Sequence, residues 1–123
     1  MATSAHFFYH ELACPCCGFN FVRTEILRVA EAIRKYSGPL RVTSGYRCPA
    51  HNAEVGGSPT SQHMYGRALD IQSSRLTPRE LFDLIERLHA DGALPHLHGL
   101  GLYTAHVHID ARCVKGLLTW KNY

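Results

Sequence analysis

The apolar positions along this chain change period several times. From Thr24 to Tyr36, the residues Ile26, Leu27, Ala30 and Ile33 recur at helical spacing. This predicts an amphipathic helix with Thr24 capping its start and Gly38 closing its end. A second helix is predicted from Pro78 to Ala90, with Leu81, Leu84, Ile85 and Leu88 as its apolar stripe. Thr77, Pro78 and Glu80 supply an N-cap, a first-turn proline and a capping-box acid, and Gly92 ends the helix. Leu40 to Thr43, Ala68 to Gln72, Gly99 to Tyr103 and His106 to Ile109 read as short strands, the last two as an antiparallel pair. Between Ser44 and Gly66 neither period holds, and a loop of that length in a small domain is commonly functional or disordered. Helices and strands in this mixed order predict an α+β fold: a small antiparallel sheet packed by two main helices.

Composition narrows the function classes. A length of 123 residues suits a single domain, taken as residues 1–123. No apolar run approaches the roughly 20 residues that span a bilayer, so membrane insertion is not expected. Met1 to His10 lacks a basic stretch followed by a long apolar core, so no signal peptide is read and synthesis in the cytoplasm is expected. The net charge of +3 is carried by scattered residues with no basic stripe among aromatics, which argues against a nucleic-acid partner.

Nine histidines make metal chemistry worth testing, and spacing decides which of them matter. Ser61-Gln62-His63-Met64-Tyr65-Gly66-Arg67-Ala68-Leu69-Asp70 puts His63 at the close of the long loop and Asp70 inside an apolar strand. Leu69 and Ile71 flank Asp70 and point to the other face. A carboxylate there is costly to bury unless it is paired or metal-bound. In His106-Val107-His108-Ile109-Asp110, the three polar residues alternate and share one face. Two imidazoles and a carboxylate suit Zn²⁺ and leave a fourth position open for water. Taken singly, each histidine reads as surface and Asp70 as a turn cap; their strand context favours the joint reading.

The chain resembles the zinc D,D-peptidases of the M15 type, with their hedgehog/D,D-peptidase-like fold. The matching residues are Ser44-Gly45-Tyr46-Arg47-Cys48, His51-Asn52 to Gly56-Gly57, Ser61-x-His63-x-x-Gly66-x-Ala68-x-Asp70, Gly99-x-Gly101-x-Tyr103 and His106-x-His108-x-Asp110. Phe8-x-x-Glu11-Leu12-x-Cys14 with Cys17-Gly18 also looks like the short phage and prophage members. The resemblance implies His63, Asp70 and His108 as zinc ligands, Arg47 as a catalytic and substrate-binding guanidinium, and Ser61 near the substrate. Several relatives carry Glu or Asp three residues before the last ligand, where this chain has Ala105. Others use His-x-His, and on that pattern His106 is the expected general base. Asp110 is expected either to orient His108 or to pair with Arg112. The implied activity is hydrolysis of bacterial peptidoglycan peptides, by an endolysin that is released through a holin and acts as a monomer. A non-catalytic zinc module that holds wall peptides or a protein partner is the alternative, kept open by Ala105.

The five cysteines are Cys14, Cys16, Cys17, Cys48 and Cys113. Cys14-x-x-Cys17 has the spacing of half a structural zinc site, which Cys48 or His51 could help complete. A disulfide and plain buried thiols are the other readings, and plain thiols are placed first.

Overall fold

A computed structural model describes residues 3–122. In chain order these form α1 (Tyr9–Leu12), α2 (Thr24–Ser37), β1 (Leu40–Ser44), α3 (Pro49–Glu54), a 3₁₀ turn (Gln62–Tyr65), β2 (Ala68–Ser73), α4 (Pro78–Ala90), β3 (Gly99–Tyr103), β4 (Val107–Asp110) and β5 (Leu118–Asn122). The strands make one sheet in the order β1-β2-β4-β3-β5. β1 to β4 pair antiparallel, and β5 adds to the outer edge of β3 in parallel.

The α+β class is as the pattern predicts, and the sheet is mixed rather than purely antiparallel. β5 is exposed at both ends and lacks an apolar alternation, so it carries no strand period for a reader of the sequence to find. The supposed irregular stretch from Ser44 to Gly66 holds α3 and the 3₁₀ turn, both too short to show a helical stripe. Thr24 is the first residue of α2 and not its cap. Arg23 holds the capping position in extended conformation, because its N–H donates to Gly66 O (2.8 Å) and its Nε to Tyr65 O (3.0 Å). At α4 the predicted capping box forms: Glu80 N–H donates to Thr77 Oγ1 (3.2 Å) and Thr77 N–H to Glu80 Oε1 (2.9 Å).

Alternation in the strands divides the molecule into an oily face and a polar face. Leu69 and Ile71 of β2, Leu100 and Leu102 of β3, and Val107 and Ile109 of β4 are buried against Ile26, Ala30 and Ile33 of α2 and Leu81, Ile85 and Leu88 of α4. The residues between them, Asp70, Gly101 and His108, look the other way. One side of the sheet is therefore the core, and the other presents the polar side chains of Asp70 and His108. Among the described residues no helix is long and apolar enough to cross a membrane.

Candidate metal centre

One row of residues runs across all five strands. Ser44 pairs with Asp70, Asp70 with His108, His108 with Gly101, and Gly101 with Trp120. Register partners on one face bring their Cβ atoms to about 4.5–5.5 Å, so sheet pairing alone places Asp70 and His108 within ligating reach of each other. At Gly101 a Cβ would run into the Trp120 indole, so the glycine lets that ring lie over the row, 5.3 Å from the His108 ring.

His63 comes from outside the sheet, on the 3₁₀ turn. Its N–H donates to Ser61 Oγ (3.3 Å), which caps the turn. Gly66 ends it at φ 69°, with Phe21 O lying where a side chain would start, so only glycine fits there. The turn delivers a nearly fully buried imidazole, and its Nε2 lies 3.2 Å from Asp70 Oδ1.

The tautomers follow from the outer partners of each ring. His63 Nδ1–H donates to Gly45 O (2.7 Å), which leaves Nε2 with a lone pair. His108 Nε2–H donates to Asp110 Oδ2 (2.8 Å), which leaves Nδ1 with a lone pair, 3.0 Å from Asp70 Oδ1. Lone pairs of two neutral rings and one carboxylate thus converge, and they repel unless positive charge sits among them. That charge is either an extra proton or a cation. Around a tetrahedral zinc with bonds of about 2.0–2.1 Å, neighbouring ligand atoms stand about 3.3 Å apart, close to the 3.0 and 3.2 Å found here. The donor set of His63, Asp70 and His108, all within 4.8 Å of one another, fits such an ion.

The electrostatics agree. Burial opposes charge on Asp70, yet the His108 and His63 imidazoles beside it favour the ionised form and hold its carboxyl far below the usual carboxylate range. Burial likewise opposes charge on Asp110, which is fully buried. Bonds from His108 and from Arg112, whose Nε and NH2 reach the two oxygens at 2.9 and 2.7 Å, keep it ionised. Asp110 thus touches both of its candidate partners, His108 through Oδ2 and Arg112 through both oxygens. His108 is buried, which disfavours its charge, but the bonds to Asp110 and Asp70 raise its pKa.

His106 stands at the mouth of the site. Its Nε2 lies 3.6 Å from Asp70 Oδ2, and its ring stacks on Tyr103 at 4.6 Å. Burial pushes its pKa below the ordinary histidine value, which keeps the ring neutral and able to accept a proton near neutrality. Arg47 faces it across Asp70. Its Nε donates to Ser44 Oγ (3.1 Å) and its NH1 to Asn52 Oδ1 (3.3 Å), while NH2 reaches only to 3.5 Å from Asp70 Oδ2. Arg47, Ser61, His63, Asp70, His106 and His108 all line one open cleft of about 460 Å³.

A family model for Peptidase M15 matches residues 5–110. The chain belongs to the Peptidase M15 family. It is a metallopeptidase, from a family that is generally zinc-dependent. Comparison with curated proteins gives no match.

In this M15 peptidase Trp120, which shapes the site, went unread in the sequence, and Tyr103, Ser44 and Asn52 were read only as motif positions without a role. Tyr103 and Trp120 form part of the cleft wall, tied by Trp120 Nε1–H to Tyr103 Oη (3.0 Å), and Arg112 lies over the indole at 5.1 Å. Asn52 and Ser44 aim Arg47. Only the parallel pairing of β5 brings Trp120 here, and no local signal announces it.

Cys14, Cys17 and Cys48 lie outside the cleft, gathered with Cys16 and joined by no disulfide. Burial works against charge on Cys14, but the backbone N–H groups of Cys48, Cys17 and Cys16 favour it, bringing that thiol down to about 6. His51 contributes its backbone N–H to Cys48 Sγ (3.4 Å), not its ring.

Proposed function

We propose that this M15 peptidase is a zinc-dependent peptidoglycan peptidase, a D,D-carboxypeptidase or stem-peptide endopeptidase acting as a phage or prophage endolysin. The observation that carries the reading is the cleft, where a three-residue donor set, a neutral imidazole and a guanidinium line a single opening. An opening of about 460 Å³ suits a short peptide more than a folded chain. A second guanidinium, Arg112, also lines the cleft, held there by Asp110, and the net charge of +3 favours an anionic polymer.

His63, Asp70 and His108 would hold Zn²⁺, which when bound polarises the scissile carbonyl and lowers the pKa of water towards about 7. His106 takes a proton from the attacking water as its oxygen bonds to the carbonyl carbon. It returns that proton to the leaving amine as the C–N bond breaks, so no proton is gained or lost overall. Arg47, aimed by Ser44 and Asn52, presents its fork to the charge that develops on the carbonyl oxygen or to a terminal carboxylate. Ser61 holds the turn that carries His63 and borders the same cleft.

Ala105 favours the competing reading of a wall-binding module, because it removes the acidic base of several relatives. Incubation with isolated peptidoglycan, followed by mass spectrometry of the released fragments, separates the two. Defined peptide fragments name the bond that is cut; intact wall with bound protein supports the module.

A further inference from the structure

The second concentration of metal-binding side chains lies on the N-terminal turn. Cys14-Pro15-Cys16-Cys17-Gly18 folds back on itself, with Gly18 N–H donating to Cys14 O (2.8 Å) and Cys14 N–H to Phe19 O (2.7 Å). Gly18 takes φ 75°, which lets the chain turn away directly after the last cysteine. The turn gathers the sulfur atoms of Cys14, Cys16 and Cys17 on one side.

Cys48 meets them from far along the chain. It caps α3, and Tyr46 N–H donates to Leu12 O (2.8 Å), which lays the two segments side by side. The sulfur atoms of all four cysteines then lie within 4.8 Å of one another, with Cys16 and Cys48 3.3 Å apart. A disulfide needs about 2.05 Å and would use two sulfurs, leaving the convergence of the other two without purpose. Around a tetrahedral ion with Zn–S bonds of about 2.3 Å, sulfurs stand about 3.8 Å apart, within the range of this cluster.

We propose that Cys14, Cys16, Cys17 and Cys48 form a structural zinc site that clamps the N-terminal turn to the start of α3. Four thiolate ligands close the coordination shell, so the site holds structure and leaves no position for a substrate. Soft sulfur donors select zinc over magnesium or calcium. The clamp fixes the segment from Gly45 to Cys48, whose Gly45 O orients His63 and whose Arg47 faces the cleft. It also protects Cys16 and Cys17, which are exposed and otherwise open to oxidation. The site does not depend on the peptidase reading, since its ligands are separate from those in the cleft.

Metal analysis tests it. Protein purified with zinc and without chelator is expected to bind two zinc ions per chain. The double variant His63→Ala/His108→Ala is expected to keep one, and further replacement of Cys14→Ser and Cys48→Ser to remove it. In the His63→Ala/His108→Ala background, cobalt substitution is expected to give sulfur-to-cobalt charge-transfer absorption, which nitrogen and oxygen ligands do not produce. Cysteine variants can fail to fold, so native thiol titration of the unaltered chain provides a second reading. Cys113 alone should react until a chelator is added, and all five thiols afterwards. The proposal is overturned by a cobalt spectrum without charge transfer, by five thiols reacting at once without chelator, or by a non-reducing digest that links two of the four.

Discussion

Asp70 and His108 stand directly opposite each other on β2 and β4, with Oδ1 3.0 Å from Nδ1. This pair is a product of sheet register, so a one-residue slip of either strand would turn its member of the pair into the core and separate the two. The third donor, His63, reaches the same Oδ1 from a loop that is tied to Gly45, and so to β1 and α3. Two rigid strands and one anchored turn therefore prepare the site before any ion arrives.

Asp110→Asn is expected to weaken zinc binding at this centre by about 10–100-fold, because Asp110 fixes the ring of His108 and is itself held by Arg112. Competition against a chromophoric chelator measures it. An unchanged affinity would remove the orienting role of Asp110.

His106→Ala is expected to lower kcat on wall peptides by about 10²–10⁴-fold while leaving the zinc content intact. The ring stacks on Tyr103 and its Nε2 lies 3.6 Å from Asp70, outside the three-residue donor set. Full activity in this variant would assign the proton transfer to another group.

Alternation in β2 and β4 made the polar face of Asp70 and His108 legible, because Leu69, Ile71, Val107 and Ile109 announce which face is core, whereas the choice of His63, Asp70 and His108 as a set came from the family resemblance. The capping box of α4 was legible for a similar reason: Thr77 and Glu80 carry the signal locally. Thr24 misled because Arg23 is held in place by Tyr65 and Gly66, far away in sequence. Trp120 and Cys16 were missed on the same account. Each gains its role from a partner that only tertiary structure supplies, Gly101 for one and Cys48 for the other.

Gly66→Ala is expected to destabilise the fold and to displace His63. A non-glycine residue at φ 69° costs about 1–2 kcal/mol, and the added Cβ would also strike Phe21 O. Thermal unfolding should show a Tm lower by several degrees. A Tm within experimental error of the parent would contradict the tight approach of the 3₁₀ turn to Phe21.

The N-terminal segment should respond to acid through Glu31. Burial alone would raise its pKa, but bonds from Ser4 Oγ (2.6 Å), His6 N–H (2.9 Å) and His6 Nδ1 (2.7 Å) lower it overall. Because the folded value lies below the unfolded one of about 4.3, the stabilisation is present above that pH and is lost as pH falls through the folded value. Glu31→Gln is therefore expected to cost about 0.2–1 kcal/mol at pH 7, and to differ little from the parent in strong acid. Urea unfolding at both pH values checks it, and an equal gap at both would refute the linkage.

The most direct test of the central claim is hydrolysis of isolated peptidoglycan by chelator-stripped protein as zinc is returned. Peptide release should be absent at the start and should rise with added zinc to a plateau. The same titration of His63→Ala should release nothing. Undiminished hydrolysis by the stripped protein, or full recovery in His63→Ala, would show that His63, Asp70 and His108 are not the catalytic metal centre.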